Sequence, residues 1–190
     1  MLSNLLIYRF LIFNSLMVAL VAVLAWNGLV AQLFENDQSR ITLAIVALFI
    51  VGWLWSFKET AVVSLELNSA KMHGPRPALA AERDKDIGKV EWLFSVSEWL
   101  VALGLLGTVV GFYIALSGVD QNTVNEASGA QSAVAALMVG MRTALTTTIL
   151  GAVLGLWHEV NVTMLRTALL AYWSDRLAAA GTLREARAWD

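Results

Sequence analysis

The sequence predicts an all-α integral membrane protein with four transmembrane helices. Three observations carry that prediction: an excess of apolar residues, long runs without charge, and an uneven placement of the basic residues. Of 190 residues, 58% are hydrophobic and 15% charged, and the mean hydropathy is +0.65. A soluble domain is usually about 45–50% apolar and about 25% charged, so a chain of this length could not hide so much apolar surface in a core. The charge-free runs cover 25 residues from Phe10 to Phe34, 17 from Ile41 to Phe57, 21 from Trp99 to Val119, and 31 from Ala127 to Trp157, the last interrupted by Arg142 alone. About 20 apolar residues cross a hydrocarbon core as a helix, and a helix satisfies its own backbone in lipid. The runs are continuous rather than alternating, which disfavours a β-barrel.

The expected spans are 8–30, 41–57, 93–117 and 131–157. They form a single membrane domain, 1–190, with a loop over 58–90 and a tail over 158–190. The first charge-free run, from Phe10, is too long for the apolar part of a signal peptide, is preceded by Arg9 alone, and has no convincing small-residue cleavage site, so it reads as a retained helix. The second helix should run past Phe57 through ETAVVSLELNSAK and stop near His73-Gly74-Pro75, where Gly and Pro end a helix. From Pro77 the chain reads as a charged helical turn leading into the third span. GVDQNTVNEASG is a polar connection bracketed by glycine. After Trp157, the residues Val162, Leu165, Leu169 and Tyr172 share one helical face, which extends the fourth helix as an amphipathic stem; from Gly181 onward the chain should be loosely held.

Basic residues orient these spans. Eleven of the 13 Lys and Arg fall before the charge-free run that starts at Phe10, in 58–90 or in 158–190. Positive-inside bias then places both termini and the middle loop in the cytoplasm. Trp53, Trp55, Trp92, Trp99 and Trp157 fall near the same ends, where aromatic anchors belong. His158 and Glu159, at the inner end of the fourth span, read as interfacial and solvated.

Composition also excludes chemistry. The absence of Cys removes disulfides, zinc–thiolate sites, iron–sulfur clusters and a Cys nucleophile. Two His cannot make a multi-histidine metal site alone. A net charge of −2 without a basic cluster argues against nucleic acid. No Ser/His/Asp set, phosphate-binding loop or paired intramembrane carboxylates suggest an enzyme, and no cofactor or metal is implied.

The third and fourth spans carry stripes of small residues: Gly104, Gly107 and Gly111 on one, Gly140, Gly151 and Gly155 on the other. Such stripes let helix backbones approach closely in lipid, and packing is the first reading of these glycines. The first two spans carry almost no such stripe and read as the lipid-facing side. Thr108 stands alone among apolar residues, and Thr146, Thr147 and Thr148 are consecutive and so point in different directions. A Thr in a membrane helix often only bonds its own i−4 carbonyl. Facing a wet cavity, it would instead hold water in a proton relay. A hydroxyl does not titrate usefully near neutral pH, so a proton conductor built on these residues needs a carboxylate from elsewhere.

LGLLGTVVGF over 103–112, followed by ALTTTILGAVLG over 144–155, resembles the paired signature of the MotA/TolQ/ExbB proton channel family, and the intervening SGVDQNTVNEASG resembles that family's outer loop. The resemblance covers about 60 residues and makes the chain a compact four-span member. It implies a homopentamer in the bacterial inner membrane, surrounded by membrane lipid, whose two signature helices line a central channel. Two copies of a single-transmembrane ExbD/TolR/MotB-like subunit would thread that channel and supply the Asp that carries the proton. The channel threonines fall by motif on Thr108 and Thr148, with Thr147 adjacent. The chain departs from the family pattern in its loop of 33 residues over 58–90, shorter than the rotor-contacting loop of MotA-type members. It departs again at Thr143, where ExbB-like members carry an acidic residue, so neither a flagellar nor a standard TonB or Tol role is assigned.

Two charged residues have two readings each. Glu98, at the edge of the third span, is a solvated interfacial carboxylate or a proton exit or gating station. Arg142 lies deep in the fourth span, where a charge costs roughly 2.5–3.5 kcal/mol on insertion scales. It pairs structurally with Asp120 or Glu126, or serves selectivity or partner docking. The leading functional expectation is a stator subunit driven by proton motive force. Beside it stands a non-conducting membrane scaffold of the same fold. A small-molecule transporter is less favoured, because internal repeats and intramembrane binding groups are missing.

Overall fold

The computed structural model describes residues 3–35, 37, 39–73, 80–118 and 127–186. Five helices occur among them: α1 (Ser3–Trp26), α2 (Leu29–Glu35), α3 (Ile41–His73), α4 (Ala80–Ser117) and α5 (Ala127–Ala186). No strand occurs among the described residues. Four helices are long and apolar enough to cross a membrane, over Leu6–Trp26, Ile41–Ser69, Glu82–Ser117 and Gly129–Ala178. The chain is a multi-pass, all-helical membrane protein. The 60 residues of α5 measure about 90 Å at 1.5 Å per residue, far more than a hydrocarbon core of about 30 Å. That helix runs without a break through Gly181, where the sequence suggested loosening.

The helix ends follow local chemistry. The stretch expected as one helix over 8–30 is divided after Trp26. Gly28 adopts φ 75°, a left-handed conformation that favours glycine, and its N–H returns to the Ala25 carbonyl at 2.9 Å. The Asn27 side chain donates to the Val23 carbonyl at 2.8 Å, occupying another terminal acceptor. At the start of α3, one carboxylate ties the entry together. Asp37 accepts from the Ser39 N–H at 2.9 Å, the Ser39 hydroxyl at 2.6 Å and the Thr42 N–H at 2.7 Å. Burial alone would raise the Asp37 pKa, but the hydrogen bonds from Ser39 and Thr42 outweigh it and hold the carboxyl below its ordinary value. Arg40, the residue before α3, sits at φ 58°, an unusual place for a side-chain-bearing residue.

The helices contribute to two compact units. The first comprises Met1–Met17, Gly52–Ser95 and His158–Asp190, and the second Val18–Val51 and Val96–Trp157. In the first, Leu6, Val63, Leu93, Val162, Leu165 and Trp173 are among the buried residues of one apolar cluster, with Tyr172 packed against it. The face read from Val162, Leu165, Leu169 and Tyr172 is thus the face that packs. Arg176 lies almost buried, 4.8 Å from the Trp173 ring centre and 3.8 Å from a Glu82 carboxylate oxygen. Lys89 bridges Asp86 at 3.2 Å and Glu59 at 3.6 Å.

One expectation is overturned in this unit. His158 is fully buried rather than solvated. Its Nε2 lies 3.2 Å from the Ser56 hydroxyl, and burial follows because the ring has polar partners on α3. Glu159, one residue on, is exposed as expected. Three residues after His158, Asn161 is buried as well, with Asn14 Nδ2 donating to its Oδ1 at 2.7 Å while Trp53 Nε1 donates to Asn14 Oδ1 at 2.6 Å. Trp55 and Trp92 pair with ring centres 4.7 Å apart and stay partly exposed. In the second unit, Trp157 is turned inward against Phe49, ring centres 4.9 Å apart.

Candidate functional site

The second unit brings α4 and α5 into backbone contact. A Cβ added at Gly111 would lie 2.6 Å from the Ala144 nitrogen and 2.7 Å from the Gly140 carbonyl oxygen. One added at Gly151 would lie 2.7 Å from the Leu100 carbonyl oxygen and 2.8 Å from Gly104 Cα. Real Cβ atoms do not come so near backbone, so the two helices approach this closely only because these positions are glycine. Gly107 receives the Thr147 side chain, Gly140 faces Ala115, and Gly155 lies against Val101 and the Ser97 carbonyl. The order of these contacts, from Gly111 with Gly140 back to Ser97 with Gly155, makes α4 and α5 antiparallel.

The threonines divide by what their hydroxyls meet. Thr108 and Thr148, 40 residues apart in sequence, are hydrogen-bonded to each other and half-buried. Thr108 also reaches the Gly104 carbonyl at 3.3 Å. Thr148 reaches the Ala144 carbonyl at 3.0 Å and, across the helix contact, the Gly104 carbonyl at 3.3 Å. Thr147 is wholly buried, and its hydroxyl bonds the Thr143 and Ala144 carbonyls of its own helix, both at 3.1 Å. Thr143 is also fully buried, and Thr146 nearly so. Of the three threonines expected on a proton path, the structure joins the two placed by motif, Thr108 and Thr148, and packs the adjacent Thr147 on Gly107.

Glu98 and Arg142 are exposed on α4 and α5. The proposed partners of Arg142, Asp120 and Glu126, lie outside the described residues. The buried polar residues of the first unit were missed by sequence reasoning. Asn14 gave a signal, since a lone Asn in an apolar run is a group that must find a partner in lipid; for His158, its place at the inner end of the fourth span suggested water instead.

These features define a polytopic helical membrane protein with hydroxyls set between two closely apposed helices. The model of the MotA/TolQ/ExbB proton channel family matches residues 75–171, just over half the chain. The chain belongs to that family, which supports a proton-channel type of membrane function and, as is general in the family, work alongside partner membrane proteins. No curated protein and no solved structure matches the chain. The matched segment contains α4 with the larger part of α5, and so Thr108, Thr147, Thr148, Glu98, Arg142 and the six glycines of the small-residue stripes.

Proposed function

We propose that the chain is the channel-forming subunit of a proton-driven stator rather than an enzyme. Five copies surround two single-span partner subunits in a bacterial inner membrane, with both termini and the 58–90 loop in the cytoplasm. The ends of α3, α4 and α5 beyond the hydrocarbon extend on that side. The partner supplies the titrating Asp, and Thr108 and Thr148, with Thr147 beside them, hold the water that serves it. Glu98 stands at the exit and Arg142 at the outer approach. Each proton crossing roughly 150 mV releases about 3.5 kcal/mol, at about 2.3 per 100 mV, enough to bias a mechanical or conformational step.

The observation that supports this reading best is the hydroxyl pair between α4 and α5, inside the segment matched by the family model. The competing scaffold reading draws on the contacts of the same hydroxyls with carbonyls four residues back, at 3.3 Å for Thr108 and 3.0 Å for Thr148. A tag on this chain recovers the complex from its host membrane with whatever subunits it holds. Native mass measurement should give five copies with two of a single-span protein. Vesicles bearing the complex should pass protons down an imposed potential. A recovered complex that holds potential without proton flux would establish the scaffold, and a monomer would end the channel reading.

A further inference from the structure

Thr108 and Thr148 together carry two hydroxyl hydrogens, and three acceptors lie within reach: the Gly104 carbonyl, the Ala144 carbonyl and the partner hydroxyl. Whenever the hydroxyls bond each other, one hydrogen lies between them and the other goes to a carbonyl. Only two polarities satisfy this. In one, Thr108 donates to Thr148, which donates to the carbonyl of Ala144 or Gly104. In the other, Thr148 donates to Thr108, which donates to Gly104. The hydroxyl that donates to its partner accepts nothing from the protein, so both of its lone pairs stay open.

We propose that Thr108 and Thr148 act as one two-hydroxyl element with two polarities, and that Gly104 is its positioning residue. Passing between the polarities rotates two O–H bonds and breaks no covalent bond. It moves the hydroxyl with two open lone pairs from α4 to α5 and back, while the accepting hydroxyl keeps one, so the side of the pair that best receives a donor from a neighbouring water or carboxylic acid alternates between the helices. The Gly104 carbonyl is the acceptor both hydroxyls share. A Cβ there would meet the Thr147 carbonyl oxygen at 3.0 Å, Gly151 Cα at 3.2 Å and Thr148 Cα at 3.4 Å, so α5 would have to give way by a few tenths of an ångström. A few tenths of an ångström of separation would carry the 3.3 Å bond from Thr148 to the edge of hydrogen-bonding distance. The inference rests on the proton-path reading above and adds that neither hydroxyl works without the other.

A double-mutant cycle tests it in the complex taken from its host membrane and reconstituted in vesicles. Thr108→Val and Thr148→Val should each lower proton flux about five- to tenfold, the worth of one hydrogen bond. The double variant should lose no more than either single one. Independent hydroxyls would instead multiply to roughly 25- to 100-fold, and that result overturns the paired element while leaving the proton path standing. Wild-type flux in all three would sink the proton path and the pair together. Serine at both positions should restore near-normal flux. Gly104→Ala should lower flux in the wild-type background and add nothing in the double-valine background. An equal loss in both backgrounds would make Gly104 a packing residue only. Alanine at both threonines, which empties the site instead of filling it, should show the same masking, and unfolding midpoints on the same samples report whether each variant is folded.

Discussion

Asn14 ties three helices of the first unit through one side chain: its amide donates to Asn161 on α5, and its oxygen accepts from Trp53 on α3. Replacing it by Leu removes a donor and an acceptor at once and leaves buried partners to find others. The expected cost is about 1–3 kcal/mol, read as a lowered unfolding midpoint of the purified protein. Asn161→Leu should cost less, because Trp53 keeps its acceptor. Asp37 permits a test by pH. Its folded pKa is held below the ordinary carboxylate value by Ser39 and Thr42, so its contribution is fully present above the unfolded value of about 3.9. That contribution fades as pH falls through the lower, folded value. The midpoint difference between wild type and Asp37→Asn should therefore be constant from neutral pH to about 5 and shrink below about 4. A difference that grows on acidification would contradict the cap.

For whole elements, α4 offers a contrast within one helix. At Gly111 an added Cβ meets backbone of α5 at 2.6 Å, whereas at Gly88 it meets nothing within 4 Å. Alanine is favoured over glycine inside a helix by roughly 0.5–1 kcal/mol. Gly88→Ala should raise the unfolding midpoint, and Gly111→Ala should lower it, because the backbone it strikes cannot swing aside as a side chain can. Gly111→Leu and Gly151→Leu should also disrupt the recovered assembly. Equal effects of alanine at positions 88 and 111 would mean that the α4–α5 contact does not require glycine. In α5, Leu165 is 1% exposed within the apolar cluster of the first unit. Truncation to Ala there should cost about 2–5 kcal/mol, while Leu170, 45% exposed, should tolerate it.

At the scale of the whole molecule, the four apolar helices were legible because lipid imposes length and the absence of charge, and both are properties of a run of residues. The small-residue stripes were legible because helical spacing puts Gly104, Gly107 and Gly111 on one side. The polar contacts of α1 and α3 were not, since spacing within α1 cannot reveal that Asn14 meets a residue 147 positions away. Nor does periodicity foresee the left-handed turn at Gly28, where local bonds end one helix and begin another. Orientation rests on charge alone. Eleven of 13 basic residues lie at the termini or in 58–90, and moving them across the membrane is opposed by the cost of burying each in hydrocarbon and by the positive-inside bias. The chain contains no Cys, so single cysteines report without background. Placed at Asn36 and Asn122, they should react with an impermeant thiol reagent added to intact cells whose outer envelope admits it. One at Ala80 should react only after the membrane is opened. Labelling of position 80 alone would invert the orientation, and labelling of all three in sealed cells would contradict the single crossing that separates 80 from 36 and from 122.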